Sequence, residues 1–197
     1  MSKETWWASE SFWRKNAIWI TAGSFLVLIF LTFDTVSQIT AGGKRVPAYS
    51  VINNRISYVF DEKRNMQVPV IGNEEPLFGQ KLTEEEAQAL VSRGKLTTQA
   101  KNCMNCHTLL GNGAYYAPDL TKAWLDPSWG SKDIREQEMV DFLMNPQDRL
   151  HNGLGRRMPN LGITEAEARA TVAFLKWMSS IDTNGFPANF VSIDQEN

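Results

Sequence analysis

Between Asn16 and Phe33 the chain carries no charged side chain, and this uncharged run restricts the architecture more than any other feature. It is largely apolar, with Ala17-Ile18-Trp19-Ile20 followed by Phe25 through Leu31. A helix over this stretch rises about 27 Å, close to the thickness of a bilayer's hydrocarbon core. The flanks agree: Arg14 and Lys15 precede it, Asp34 closes it, and Trp6, Trp7 and Trp13 suit the headgroup level. A soluble helix apolar on every face would need a larger protein around it. A cleaved signal peptide would have a shorter apolar core and a small-x-small cleavage site after it. Residues 1–40 are therefore expected to form a retained transmembrane anchor.

The remainder of the 197 residues leaves room for one ordinary domain. The net charge of −2 offers no basic surface for a nucleic acid. After Ala41-Gly42-Gly43, which reads as a flexible exit, two alternating stretches follow, Ile56–Phe60 and Gln67–Ile71. The polar turn Asp61–Asn65 between them predicts a small β-hairpin, with Pro69 confining its strand to an edge. Helical signals begin at Thr83. Thr83 and Glu86 form a capping box, and Ala87, Leu90, Val91 and Gly94 recur at helical spacing. Gly94 reads either as a break or as a notch that lets a second helix approach. Residues 134–144 predict a middle helix that Pro146 stops. Thr164 and Glu167 cap a last helix whose inner face comprises Ala166, Ala170, Ala173, Phe174, Trp177 and Ile181. Long loops at 108–132 and 147–163 need a reason in a compact domain, and a large cofactor wrapped by them would supply one.

That cofactor has a signature. Cys103-Met104-Asn105-Cys106-His107 has the spacing of c-type haem attachment. Two thiols one helical turn apart reach the two vinyl groups of one porphyrin, and the adjacent histidine is held beneath the iron. A thioredoxin-like dithiol would need a βαβ setting. A zinc site would have to take both histidines, His107 and His151, although His107 abuts a cysteine. One covalent haem c bound through Cys103 and Cys106, with His107 as axial ligand, is expected. Because bacterial c-type haem is attached outside the cytoplasm, the domain is expected in the periplasm and Met1–Lys15 inside.

The sixth iron position distinguishes an electron carrier from a ligand binder. Met139, Met144 and Met178 fall in predicted helices, where methionine by default packs. Met158 lies in the loop Gly155-Arg156-Arg157-Met158-Pro159-Asn160, where Pro159 favours an extended backbone that presents the side chain. Met158 is the expected ligand, with His151 or an open sixth position as the alternatives. A thioether ligand raises the potential and closes the iron to exogenous ligands. Arg156 and Arg157 suit haem propionates equally with solvent. There is no phosphate loop, nucleophile motif or second metal cluster, and Glu84-Glu85-Glu86 reads as a helix N-terminus.

The block Cys103 to Leu120, then Arg157-Met158-Pro159, then Val172 to Trp177 and Ile181-Asp182-Thr183-Asn184-Gly185-Phe186-Pro187, resembles the cytochrome c subunit of bacterial respiratory nitric oxide reductase. The resemblance implies a class I cytochrome c-like domain over 83–197. The whole would then be a mainly α fold, with a single N-terminal transmembrane helix and residues 41–82 as a linker with a hairpin-like insertion. It implies an inner-membrane complex in which this chain takes electrons from a soluble periplasmic donor, a small cytochrome c or a cupredoxin. The electrons pass to a large polytopic subunit holding haem b and non-haem iron, which reduces NO to N2O. It also implies a calcium ion shared at the subunit boundary, with the Gly113 carbonyl and the Tyr115 side chain as ligands. A free anchored shuttle, a component of a haem–copper oxygen reductase, or a haem-based gas sensor are the readings that the haem motif alone leaves open.

Overall fold

The computed structural model describes residues 5–40, 45–146 and 156–188. The expected exit Ala41-Gly42-Gly43 and His151 lie outside them. The chain divides into two compact units at Arg45/Val46.

The first unit contains helix α1, Glu10–Thr40. It extends the apolar run at both ends and is long and apolar enough to cross a membrane. Its large side chains, Trp19, Phe25, Leu26, Phe30 and Phe33 among them, are all exposed. With nothing among the described residues to cover them, lipid is the solvent that suits them.

The second unit begins with a 3-10 turn at Tyr49–Asn53 and the hairpin β1 (Asn54–Asp61) and β2 (Met66–Glu74). The strands are antiparallel, with Ile56 opposite Ile71 and Tyr58 opposite Pro69. Asp61 organises the turn by accepting from the Lys63 and Arg64 amides, and Asn65 adopts a positive φ of 50°. Val51, Ile52, Ile56, Tyr58 and Leu77 are all buried, so residues 46–82 build the core rather than merely span a distance.

Helix α2, Glu84–Ala100, starts at the Thr83–Glu86 capping box, and α4, Glu165–Ser179, at the Thr164–Glu167 box. In each the glutamate reaches back 2.8 Å to the cap amide, satisfying a donor that the helix leaves orphaned. Glu84 does more than favour the helix dipole. Its carboxylate accepts from the Tyr49 and Ser50 amides at 2.7 and 2.8 Å, fastening the 3-10 turn to α2. A hydrogen bond from the Ser50 side chain, and after it these two amide bonds, hold Glu84 below the usual carboxylate range against the opposing effect of burial. Helix α3 occupies Lys132–Met144, starting two residues before its predicted start.

Gly94 is buried where α2 crosses α4. A β-carbon there would stand 2.0 Å from the Ala170 carbonyl oxygen and 2.8 Å from Phe174 Cβ. It is the notch, not the break. Helix α4 departs from the single inner face expected of it. Ala166 is exposed, whereas Val172, Leu175 and Met178 are buried as well. Because α2, α3 and the turn at Ala123–Leu125 all pack on α4, it is enclosed on most sides and a one-sided pattern understates its burial.

Candidate haem-binding site

Helix α2 delivers the attachment motif. It ends at Ala100, and Asn102, with φ of 54°, turns the chain into a 3-10 turn over Cys103–Asn105. The His107 amide closes this turn on the Cys103 carbonyl at 3.0 Å. Both thiols are half-buried, unpaired with each other, and line one cavity. Burial pushes the Cys103 thiol above its ordinary pKa.

The stretch after His107 is not the open loop that its composition suggests. Strands β3 (Thr108–Leu109) and β4 (Asn112–Gly113) fold back around Leu110 and Gly111, both with positive φ. Asp119 then fastens the segment, accepting from the Thr108 hydroxyl at 2.6 Å and the Thr121 amide at 2.8 Å. Further bonds run from Ala114 N to Met104 O, Ala117 N to Cys106 O and Leu120 N to Thr108 O. The result is a fixed position for the Pro118 carbonyl, 2.7 Å from His107 Nδ1. A proton on Nδ1 directed at that carbonyl leaves Nε2 as the free lone pair. Burial lowers the His107 pKa, with the Pro118 bond acting in the opposite sense, so the imidazole favours its neutral, ligating form. The sequence alone singles out neither Pro118 nor Asp119. Their signal is their place eleven and twelve residues after the histidine, legible only once the loop is seen to fold back.

The cavity measures about 380 Å³, within the range of small-molecule sites. Cys103, Cys106, His107 and Met158 all line it, with Leu120, Ala123, Trp129, Phe142 and Leu161 supplying apolar wall. Arg156 and Arg157 line it too. Met158 is half-buried against the core, whereas Met139 and Met178 are almost fully buried within it.

The protein-family model for cytochrome c matches residues 91–179, from within α2 to the end of α4. The chain is also similar to the nitric oxide reductase C subunit of Stutzerimonas stutzeri, 36% identical over 117 residues that cover 58% of this chain and 76% of that one. The chain belongs to the nitric oxide reductase C-subunit family. The corresponding protein of Paracoccus denitrificans is 35% identical over 108 residues, 54% of this chain and 70% of its own length.

A cytochrome c domain implies a covalent haem c, and the donors around the cavity fit one. Two free thiols stand a helical turn apart, and a neutral imidazole has its second nitrogen already engaged. A thioether lines the same apolar space. Among the described residues there is no group of three or more His, Cys, Asp and Glu side chains that could hold a separate metal ion. Gly113 has φ of +124°, and a β-carbon there would meet the His107 carbonyl oxygen at 2.2 Å, so only glycine fits. Tyr115 is 81% exposed and its hydroxyl donates to the Gly111 carbonyl at 3.0 Å.

A second cluster, which no local sequence pattern announces, follows the haem loop at Lys122. Lys122 is buried, donating to the Tyr58 hydroxyl and, at 2.9 Å, to the Ile181 carbonyl. Tyr58 in turn donates to the Ser179 carbonyl at 2.8 Å, and Arg64 grips Asp182 with two bonds of 2.7 and 3.2 Å. Burial pushes the Lys122 ammonium down to about 7, against the attraction of Asp182 and Asp119. These contacts join the hairpin, the haem loop and the end of α4.

Proposed function

We propose that this chain is the electron-transfer subunit of a nitric oxide reductase, passing electrons from a soluble periplasmic donor to a large catalytic partner. A single observation carries the reading. Cys103, Cys106, His107 and Met158 all line one cavity with largely apolar walls, on a chain whose family is named for nitric oxide reductase.

Cys103 and Cys106 would hold the haem by thioethers, and His107 and Met158 are the side chains that would ligate its iron. The haem supplies a one-electron couple. Pro118 fixes the His107 ring, and the Asp119 network fixes Pro118, so the imidazole would be held in one orientation toward the iron. Met158 contributes a soft donor that favours ferrous iron and raises the potential. Leu120, Trp129, Phe142 and Leu161 line the same cavity as the thioether and would give it apolar surroundings. With His107 and Met158 both ligating the iron, this chain would offer nitric oxide no place to react. Reduction belongs to the partner.

The anchor crosses the inner membrane with the N-terminus in the cytoplasm and the haem domain in the periplasm. At the boundary with the catalytic partner, the Gly113 carbonyl and Tyr115 hydroxyl are the oxygens this chain would offer a calcium ion. Calcium takes about six to eight oxygens, so haem propionates and the partner would have to supply the remainder.

Replacing Met158 with alanine tests the assignment. The oxidised parent should show the weak long-wavelength sulfur-to-iron band, and Met158→Ala should lose it. Ferrous Met158→Ala should bind carbon monoxide while the parent stays closed. The isolated chain should consume no nitric oxide, and co-purified complex should. A parent that binds carbon monoxide freely would sink the electron-carrier assignment.

A further inference from the structure

Met158 lies on a stretch, residues 156–163, that has neither helix nor strand. Two contacts pin it. On its C-terminal side the Lys101 ammonium donates to the carbonyls of Leu161 and Gly162 at 3.3 and 3.1 Å. On its N-terminal side Arg156 donates to the Tyr116 carbonyl, and its guanidinium lies 4.9 Å over the Tyr116 ring. Met158 stands between the pins, two residues after one and three before the other.

The Tyr116 end of this contact is itself held. The next residue, Ala117, donates to the Cys106 carbonyl at 2.8 Å, and Pro118 holds His107. Arg156 and Tyr116 are exposed and both line the cavity, so they meet at its rim. A planar guanidinium suits this double task, giving a directed hydrogen bond and a stacked face at once. Lysine would keep the charge and the ability to donate to the carbonyl but lose the flat stack.

We infer that the Arg156–Tyr116 contact is a clasp that positions Met158. It ties the loop bearing the distal thioether to the loop that orients the proximal histidine. The inference rests on Met158 as the sixth ligand. Arg156 acts through Met158, so it is a positioning residue.

The test uses the full-length haem-loaded chain in detergent with carbon monoxide as the probe. Losing a contact of this kind should raise the ratio of open to closed sixth position about five-fold. Arg156→Ala should therefore bind carbon monoxide about five-fold more readily and show a weakened sulfur-to-iron band. Tyr116→Ala, which keeps the backbone carbonyl and loses only the ring, should give a smaller change in the same direction. Arg156→Lys should return part of the way to the parent, and Arg156→Ala with Tyr116→Ala should be no more open than Arg156→Ala alone. If Arg156 served a haem propionate instead, Arg156→Ala would shift the potential, leave the band and carbon monoxide closure intact, and make Tyr116→Ala silent. That pattern overturns the clasp while Met158 stands. A parent already open to carbon monoxide overturns the Met158 assignment and the clasp with it. If Arg156→Ala fails to mature, Tyr116→Ala and Arg156→Lys still decide by the same two readouts.

Discussion

Gly94→Ala adds one methyl group to helix α2 at its crossing with α4, and the structure sets the consequence. The new carbon would stand 2.0 Å from the Ala170 oxygen and 2.6 Å from the Ala170 carbonyl carbon. Both are backbone atoms and have no rotamer to escape into. Ordinary contact begins near 3.4 Å, so the axes must part by about 1.4 Å (3.4 − 2.0) along that direction. A gap of about 1 Å already forfeits up to half of each dispersion contact across an interface. Overpacking of this kind costs about 1–3 kcal/mol and occasionally more, and an immovable backbone puts this site at the upper end. Alanine's better helix propensity offsets about 1 kcal/mol. The net loss should be about 2 kcal/mol, or about 4–8 °C in Tm at 2–4 °C per kcal/mol for a chain of this size. Leucine should lose more and impair haem incorporation, because the same crossing positions the end of α2 from which Cys103 emerges. Thermal unfolding of the detergent-solubilised protein, followed by circular dichroism in the haem band, measures the shift. A Gly94→Ala protein as stable as the parent, or more so, would refute the close crossing, since removing glycine from an uncrowded helix is stabilising.

Lys122 predicts a pH dependence. Folding holds its ammonium at about 7 against 10.5 in the unfolded chain, so between those values the unfolded state binds the extra proton. Stability should therefore rise with pH from about 7 to 9, by up to about 1.4 kcal/mol per pH unit. Urea midpoints at the two pH values should show that rise in the parent and a flatter response in Lys122→Met, while equal slopes would remove Lys122 as the cause. Replacing residues 1–45 by a cleavable secretion signal should release a soluble domain that still attaches haem, because the second unit has its own core. Aggregation of that fragment would point to apolar surface on the haem domain that needs a cover.

Much of this protein follows from local chemistry. An uncharged run of bilayer length, two capping boxes and a Cys-x-x-Cys-His motif each state their meaning within a few residues, since backbone satisfaction and covalent attachment are short-range demands. The hairpin is equally legible, because alternation between Ile56 and Phe60 and the polar turn after it are local signals. Gly94 is different: sequence leaves it as break or notch, and only the 2.0 Å approach of α4 decides. Tertiary structure alone discloses why residues 46–82 are present. Tyr58 and Arg64 reach Ser179 and Asp182, more than a hundred residues away, so no window along the chain contains both partners. The same holds for Lys122 and Lys176, two lysines that a sequence assigns to the surface by default. Lys176 is buried with its ammonium 2.9 Å from the Glu75 carbonyl. A charged side chain is buried only where distant carbonyls and hydroxyls converge on it. That convergence is a property of the folded chain, not of any segment.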